Sequence, residues 1–358
     1  MSDGLADISY ESPHPESEPT RPRPTMRDVA ALAGVSLKTV SRVINGETTV
    51  APALVTKVHR AAEVLEYRPN LTARSLRSSS GRTRTIGLLL ENVANPFSSA
   101  LHRAVEDVAR ARGVAVFAGS VDEDPQRERE LAMALVSRRV DGLIVVPAGE
   151  DQSYLANEQR AGLKLVFADR PPRLLRADAV WSDNQGGGET AVRHLIAGGH
   201  RRIGFLADLL EIPTAEARHA GYVQTLASAG IEFDPHLVRL NLHSAEAAEA
   251  ATRELMMGPR PTALFATQNL ITIGAIRALR ALGLQGQVAM VGFDDILLAD
   301  MLEPAVTVVA QDPAAIGAKA CGVLFERMDG EAGPAQTYTI PTRLIPRGSG
   351  EIPPAASS

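Results

Sequence analysis

The sequence lacks the features that mark secreted and membrane-spanning proteins. Its 358 residues include one cysteine, Cys321, so no internal disulfide can form. No run approaches about 18 consecutive apolar residues, the length that suggests a membrane span. The first twenty residues contain five acids and no lysine or arginine, which argues against the basic start of a signal peptide. We therefore expect a cytoplasmic protein without a membrane partner, in which Cys321 is buried and inert.

Motifs for catalysis, metals and cofactors are missing as well. None of the eight histidines stands in an H-E-x-x-H motif, and no G-x-S-x-G nucleophile elbow occurs. The run Gly186–Gly188 lacks the G-x-G-x-x-G spacing of a dinucleotide-binding loop, and close packing at the start of a helix accounts for it better. We expect no metal site, no cofactor and no catalytic residues.

What the sequence does contain is unevenly charged. Hydrophobic residues make up 45% and charged residues 22%, as in ordinary folded proteins, and the net charge is -5. Residues 21–85 contain twelve lysines and arginines against four acids, whereas residues 86–358 carry more acids than bases. A short basic segment joined to an acidic remainder indicates an anionic partner for that segment alone, with duplex DNA the leading candidate.

Residues 25–69 have the pattern of three short helices. Thr25 and Asp28 form a capping box before a first helix that ends at Gly34. Ser36 is a good N-cap for a second helix, and Pro52 suits the first turn of a third. Two short helices joined by a tight turn predict a helix-turn-helix module.

Downstream of Thr85, short apolar runs alternate with amphipathic helical segments. This alternation predicts parallel sheets flanked by helices, and about 260 residues favour two lobes over one. A repeat supports two lobes, because Thr85-Ile-Gly-Leu-Leu and Arg202-Ile-Gly-Phe-Leu each precede a loop and a helix. Two such lobes would leave a ligand cleft at the carboxyl ends of their strands. The polar segments 1–24 and 348–358 are predicted to be disordered tails.

Several segments resemble the lac repressor family (LacI/GalR type). Residues 25–45, TMRDVAALAGVSLKTVSRVIN, resemble its DNA-binding headpiece, and residues 68–76, RPNLTARSL, resemble its hinge helix. Motifs such as NPF at residues 95–97 and GFD at residues 292–294 resemble its core. The resemblance implies an α/β protein with an N-terminal all-α helix-turn-helix headpiece plus hinge helix, then a two-lobed periplasmic-binding-protein-like core of parallel sheets flanked by helices.

Domain boundaries follow from this resemblance. The headpiece spans residues 25–69, the hinge helix and linker residues 70–84, and the core residues 85–347. Within the core, the N-lobe is expected at about 85–183 and 312–330, and the C-lobe at about 184–311 and 331–347.

The resemblance also implies residues that contact DNA. Base contacts in the major groove are expected from Leu37, Lys38 and Arg42, whose spacing places them on one outer face of the second helix. In the hinge, Ala73 and Leu76 would enter the minor groove. The expected phosphate contacts are Thr25, Ser36, Thr39, Ser41, Asn45, Arg74 and Arg77. Thr25 and Ser36 could instead serve only as helix caps.

The core of such a protein binds a small effector. By resemblance the cleft is lined by Asn95, Phe97, Asp169, Arg218, Gln268, Asp294 and Gln311. A mixture of carboxylates, amides, one guanidinium and one aromatic ring suits a hydroxyl-rich ligand such as a sugar. Asp294 could instead cap a helix, and Asp169 could merely pair with Arg170.

These expectations favour a ligand-responsive transcriptional repressor that binds a pseudo-palindromic operator as a homodimer. Two other classes stay open at this point. One is a sugar- or nucleoside-binding protein without sequence-specific DNA binding, which the core alone would permit. The other is an enzyme that uses Asp169 and Asp294 as an acid/base pair, although no spacing in the sequence supports it.

Overall fold

A computed structural model describes residues 24–44, 47, 49–68 and 82–355. The chain divides into two compact units, Met1–Gly81 and Arg82–Ser358. In the described ranges, no helix is both long and apolar enough to cross a membrane.

Three helices make up the described part of the first unit. They are α1 (Met26–Ala33), α2 (Leu37–Ile44) and α3 (Pro52–Val64). The predicted capping box is present, since the Thr25 side chain accepts from the Asp28 N–H and the Asp28 carboxylate accepts from the Thr25 N–H. Gly34 ends α1 in the left-handed conformation, with φ 65°, which glycine adopts without steric cost. Val29, Val40 and Val58, one from each helix, meet in a small buried core.

The first half of the second unit builds one six-stranded sheet. Its first five strands are β1 (Thr85–Leu90), β2 (Ala115–Ser120), β3 (Gly142–Val145), β4 (Lys164–Ala168) and β5 (Asp178–Ser182). The helices between them are α4 (Pro96–Ala111), α5 (Pro125–Ser137) and α6 (Ala156–Arg160). The strands pair in parallel in the order β5-β4-β3-β1-β2, as expected for alternating strands and helices.

The second sheet repeats this plan. Its strands are β6 (Ile203–Leu206), β7 (Val238–Arg239), β8 (Ala263–Ala266), β9 (Ala289–Phe293), β10 (Thr307–Ala310) and β12 (Arg343–Ile345), in the order β12-β10-β9-β8-β6-β7. The accompanying helices are α7 (Asn184–Ala197), α8 (Pro213–Ser228), α9 (Ala245–Met257) and α10 (Asn269–Ala281). The chain then returns to the first lobe through α11 (Pro313–Met328), which packs against α4.

The repeat seen in the sequence has a physical counterpart in the two sheets. Strands β1 and β6 occupy the same position in their sheets, second from one edge. Gly87 of β1 and Gly204 of β6 each leave room for two leucines, and a Cβ at either position would stand within 2.6–2.9 Å of leucine side chains. A glycine at this position therefore allows the same close leucine packing in each lobe.

The core boundaries need two corrections. β11 (Thr337–Ile340), which we predicted in the C-lobe, pairs in parallel with β5 at the edge of the N-lobe sheet. Residues 82–84, which we predicted as linker, are bonded to the N-lobe, because the backbone N–H groups of Thr83 and Arg84 both donate to Asp141. Sequence pattern does not reveal these contacts, since each depends on a partner about 60 or more residues away.

The prediction of a disordered tail from residue 348 is wrong for residues 348–355. Ser349 is 3% exposed; its hydroxyl donates to the Met290 carbonyl at 2.6 Å and accepts from the Thr307 N–H at 2.9 Å. The Glu351 carboxylate contacts His194 and Thr307 at 2.6 and 2.8 Å. Its polar groups satisfy buried groups of the C-lobe, and Ile352 packs against the C-lobe core; together these contacts order the segment.

Close helix packing explains the run Gly186–Gly188. A Cβ on Gly188 would lie 2.7 Å from the Arg218 carbonyl oxygen, and one on Gly221 would lie 2.4 Å from the Gln185 carbonyl oxygen. The absence of side chains at these positions lets α7 and α8 approach backbone to backbone. The expectation of close packing at a helix start is confirmed, and so is the burial of Cys321, whose side chain is fully enclosed.

Candidate functional site

The outer face of α2 is the candidate DNA-reading surface. Leu37, Lys38 and Arg42 are exposed, while Val40 and Val43 on the opposite face are buried. Leu37 leaves 46% of its surface in solvent, so its side chain is accessible to a partner. The Arg42 guanidinium lies 3.4 Å from the Glu47 carboxylate, a weak exposed pair. The three predicted base readers therefore share one accessible surface.

The hydroxyl groups predicted to contact phosphates have structural roles as well. The Ser36 hydroxyl accepts from the Thr39 N–H at 3.1 Å and bonds to the Thr39 hydroxyl at 2.9 Å. The Thr25 hydroxyl donates to Asp28 at 2.8 Å. Ser41 lies half-buried on α2. The other predicted DNA contacts, Asn45, Ala73, Arg74, Leu76 and Arg77, lie outside the described residues.

A cleft in the second unit is built at the carboxyl ends of the two sheets. Asp169 follows β4 and Asp294 follows β9, which are equivalent strands of the two lobes. Both residues have positive φ, 66° and 71°, a conformation that aspartate tolerates better than most side chains. The Asp169 N–H donates to the Val180 carbonyl at 2.8 Å, and the Asp294 N–H donates to the Val309 carbonyl at 2.9 Å. The repeat thus aims one carboxylate from each lobe into the cleft.

Arg218, on α8, supplies the buried positive charge of this cleft. It is 5% exposed, and its Nε donates to the Asn184 side-chain oxygen at 2.8 Å. A second guanidinium nitrogen donates to the Thr267 carbonyl at 2.6 Å. The guanidinium also lies over the Phe293 ring, 3.9 Å from the centroid, which favours a cation. These contacts hold the side chain in one position between the lobes' two aspartates.

Burial and the neighbouring charges shift the pKa values of these three groups in opposite directions. Burial raises the pKa of Asp169 and of Asp294 above the usual range, and Arg218 opposes the rise in both cases. Burial lowers the pKa of Arg218, and the two carboxyl groups oppose that fall. Asp294 is further bonded to the Gln311 amide nitrogen at 2.6 Å and to the Asn269 N–H. The cleft is therefore a buried network of coupled charges.

Two predicted cleft residues have unused hydrogen-bonding capacity. The side-chain oxygens of Gln268 and Gln311 are buried and have no partner. An unpaired buried polar atom costs about 1–3 kcal/mol, so such atoms are expected where a ligand supplies the missing bond. The Nε of Arg170 makes no hydrogen bond either, but it lies 3.6 Å from the Asp169 carboxylate, so Asp169 does pair with Arg170 as the sequence allowed.

Asn95 and Phe97, both predicted to line the cleft, also make structural contacts. The Asn95 side-chain oxygen accepts from the Phe97 N–H at 3.1 Å and from the Asn269 amide at 2.8 Å. Its own amide donates to Glu91 at 3.0 Å. Asn95 thus caps α4 and also joins the two lobes, because Asn269 begins α10 of the second. Phe97 is half-buried against the N-lobe core.

Sequence reasoning missed several charged residues of this cleft. Arg170 is 8% exposed and makes a bidentate ion pair with Glu123 at 2.7 and 2.5 Å. Glu91 and Asp208 follow the repeated strands β1 and β6 at equivalent positions. The repeat could have identified this last pair, since both residues directly continue the matched segments. No local signal marks Glu123, whose partner is 47 residues away.

An outer cavity of about 250 Å³ opens beside Arg170. Its walls come from loops of both lobes, including Pro147, Pro171, Leu209 and Ile212. Across its mouth, a guanidinium nitrogen of Arg173 donates to the Glu211 carbonyl at 3.2 Å. No group of three or more His, Cys, Asp or Glu in the described ranges could hold a metal ion.

Comparisons with known proteins agree with this architecture. Residues 25–70 match the family described as "Bacterial regulatory proteins, lacI family", and residues 192–350 match the "Periplasmic binding protein-like domain". The HTH-type transcriptional regulator CelR of Thermobifida fusca is 35% identical over 340 residues, covering 92% of this chain and 99% of CelR.

Two solved structures are also similar. A CelR-cellobiose complex has a TM-score of 0.69 at 33% identity and covers 92% of this chain and 100% of its own. The lac repressor dimer bound to operator and the anti-inducer ONPF has a TM-score of 0.81 at 26% identity, covering 92% of this chain and 99% of its own.

Proposed function

The chain belongs to the LacI family of bacterial regulatory proteins, which are DNA-binding transcriptional regulators and not enzymes, and we propose that it is a repressor released from its operator by a sugar. Three parts make up this proposal: an operator read by the headpiece, an effector bound in the cleft, and a homodimer that links them. The observation that carries it is the pairing of an exposed reading face on α2 with a buried polar cleft in the same chain.

Operator reading is supported by the geometry of α2. Lys38 and Arg42 present flexible cations beside the apolar Leu37, a set suited to guanine O6 and N7 and to a thymine methyl group. Thr39 and Ser41 are proposed to contact phosphates, together with the capping residues Thr25 and Ser36. Asn45 and the hinge residues Ala73, Arg74, Leu76 and Arg77 keep their proposed roles in phosphate and minor-groove binding, and they lie outside the described residues.

Effector binding is supported by the cleft. Asp169, Arg218 and Asp294 are buried and aimed at one another from the two lobes, and Gln268 and Gln311 bring unpaired acceptors. Asn95 and Phe97 are proposed to border the same site. Hydroxyl groups of a sugar would replace the missing partners, and the similarity to a CelR-cellobiose complex favours that class of ligand.

A homodimer is supported by apolar side chains that are exposed in the described part of the chain. Phe117 is 48% exposed on β2, the edge strand of the N-lobe sheet. Leu297 and Met301 are 84% and 76% exposed in the loop after β9. Exposed large apolar side chains on a sheet edge or on a loop are typical of surfaces that bind another chain. Two chains would place two headpieces on the half-sites of a palindrome.

Effector binding and operator binding are then linked through one equilibrium between arrangements of the lobes. A sugar that binds more tightly to one arrangement of the lobes shifts the population toward it. By linkage, a sugar that weakens operator binding tenfold must itself bind the operator complex tenfold less well than the free protein.

The test is selection of bound fragments from a random DNA pool by the purified chain, with and without neutral sugars. A pseudo-palindrome should emerge, and one sugar should abolish its enrichment. With the selected operator, Arg42→Ala should lose about 1–3 kcal/mol of specific binding, while Arg60→Ala, an exposed control on α3, should lose specific and nonspecific binding equally. Equal losses for both variants would show that α2 does not read bases.

A further inference from the structure

The cleft between the lobes contains more acids than bases. Five carboxyl groups lie close to three basic groups and influence one another's ionisation: Glu91, Glu123, Asp169, Asp208 and Asp294 against Arg170, Arg218 and His243, whose ring lies 2.6 Å from Asp208. The acids come from both lobes. Solvent screening is weak in such a buried region, so the excess negative charge bears directly on any ligand that enters.

Neither guanidinium is available to bind an anion. Arg170 directs two nitrogens to the Glu123 carboxylate and one of them also to the Pro147 carbonyl. Arg218 is committed to Asn184, to the Thr267 carbonyl and to the Phe293 ring. Carboxylate and phosphate ligands are held best by a free bidentate fork, and both forks in this cleft are occupied by the protein itself.

The atoms that remain unpaired suit hydroxyl groups. The Gln268 and Gln311 oxygens can only accept, and the Nε–H of Arg170 can only donate. Arg170 is more than nine-tenths buried and lines the outer cavity, and its Nε lies 3.6 Å from the Asp169 carboxylate, too far for a hydrogen bond. A hydroxyl group both donates and accepts, and one compound with several hydroxyls would satisfy all three atoms without adding charge.

We propose that this cleft takes an uncharged, hydroxyl-rich effector and rejects the carboxylate and phosphate derivatives of the same compound, with Glu91 and Glu123 acting as the residues that determine this specificity. The proposal rests on the cleft being the effector site proposed above. Glu123 acts in two ways, because it contributes negative charge and it occupies the Arg170 fork. Glu91 contributes charge alone, since its carboxylate accepts a hydrogen bond from the neutral Asn95 amide.

The test compares matched compounds on the full chain by isothermal titration calorimetry at pH 8.0. Each set contains a neutral hexose or disaccharide, its aldonic acid and its 6-phosphate. The neutral member is expected to bind at least tenfold more tightly than either charged member. Glu91→Gln should reduce that ratio at least threefold, and Glu123→Gln should reduce it further by also freeing Arg170. Glu232→Gln, an exposed acid in the C-lobe, is the control and should leave the ratio unchanged.

The possible results separate this inference from the proposed function. If an acid or a phosphate binds as tightly as its neutral counterpart, the cleft still binds effector but the charge argument is wrong. The same conclusion follows if Glu91→Gln and Glu232→Gln have equal effects on the ratio. If no member of any set binds at millimolar concentration, the sugar effector is wrong and this inference fails with it.

Discussion

The backbone contact between α7 and α8 is the sharpest place to test the packing of the effector site. In Gly221→Ala the new Cβ would lie 2.4 Å from the Gln185 carbonyl oxygen and 2.8 Å from the Glu189 nitrogen. Both are backbone atoms of α7, so no side-chain rotation relieves the overlap. The helices must separate, and Arg218 of α8 must move relative to its partner Asn184 of α7.

The expected change in the free energy of unfolding of Gly221→Ala follows from two opposing effects. Overpacking a close contact costs about 1–3 kcal/mol, and alanine gains about 1 kcal/mol over glycine in a helix. Because the clash at Gly221 is with backbone, we expect the upper part of that range and a net loss of about 2 kcal/mol. Gly322, inside α11, is the matched control: a Cβ there meets nothing within 4 Å, so Gly322→Ala should gain up to about 1 kcal/mol.

Scanning calorimetry of the full chain measures both variants. A loss of about 2 kcal/mol corresponds to about 3–4 °C in the melting temperature of the second unit, Arg82–Ser358, at an unfolding entropy of about 2.1 cal/mol/K per residue. Titration with the effector should show weaker binding to Gly221→Ala and unchanged binding to Gly322→Ala, since only the first displaces Arg218. If the two alanine variants were equally stable, the close approach of α7 and α8 would not limit this site.

Three further predictions concern single groups. Burial raises the pKa of Glu91 from 4.5 to about 7. Between these pH values the folded chain keeps a proton that the unfolded chain loses, so the stability contributed by this group falls as the pH rises. In pH-resolved calorimetry, Glu91→Gln should therefore gain up to about 3 kcal/mol over the original chain between pH 4.5 and 7.5, and a constant difference would contradict the shift. Thr25→Ala removes the capping box of α1 and should lower the opening free energy of the α1 amides by about 1 kcal/mol, which speeds their hydrogen exchange. The amides of β1 are the control and should exchange at an unchanged rate. Ser349→Ala leaves the Met290 carbonyl and the Thr307 N–H unpaired and should lower stability to urea by about 1–3 kcal/mol, whereas Ser228→Ala on the surface should have almost no effect.

Local sequence patterns were sufficient for much of the fold. The capping box at Thr25, the turn at Gly34 and the apolar face of α2 depend on residues within a few positions of one another, and the structure has all three. The predicted alternation of apolar strands and helices after Thr85 occurs, because short apolar runs bounded by turns need no distant partner to be recognised. Strands β7, β11 and β12 contain no buried apolar run, so their pairing depends on neighbours in the sheet.

The candidate site also contains residues that the sequence indicated and contacts that it did not. The family resemblance indicated Asp169 and Asp294, and equivalent strands of the two sheets carry them to one cleft. No local sequence pattern could show that the Arg170 guanidinium is paired with Glu123. The same is true of the hydrogen bond between the lobes that joins Asn95 to Asn269, 174 residues further along the chain. The same holds for the segment after residue 347, whose composition resembles a disordered tail but whose serine and glutamate are bonded to the C-lobe.

The sequence by itself therefore determined the helix-turn-helix, the alternation of strands and helices, and the family, because each depends on spacing along the chain. Tertiary structure alone decided which lobe β11 joins, which acids share the cleft, and which hydrogen-bonding atoms are left for a ligand. Those outcomes depend on distances between residues that are far apart in sequence, and on which charges are buried together away from water.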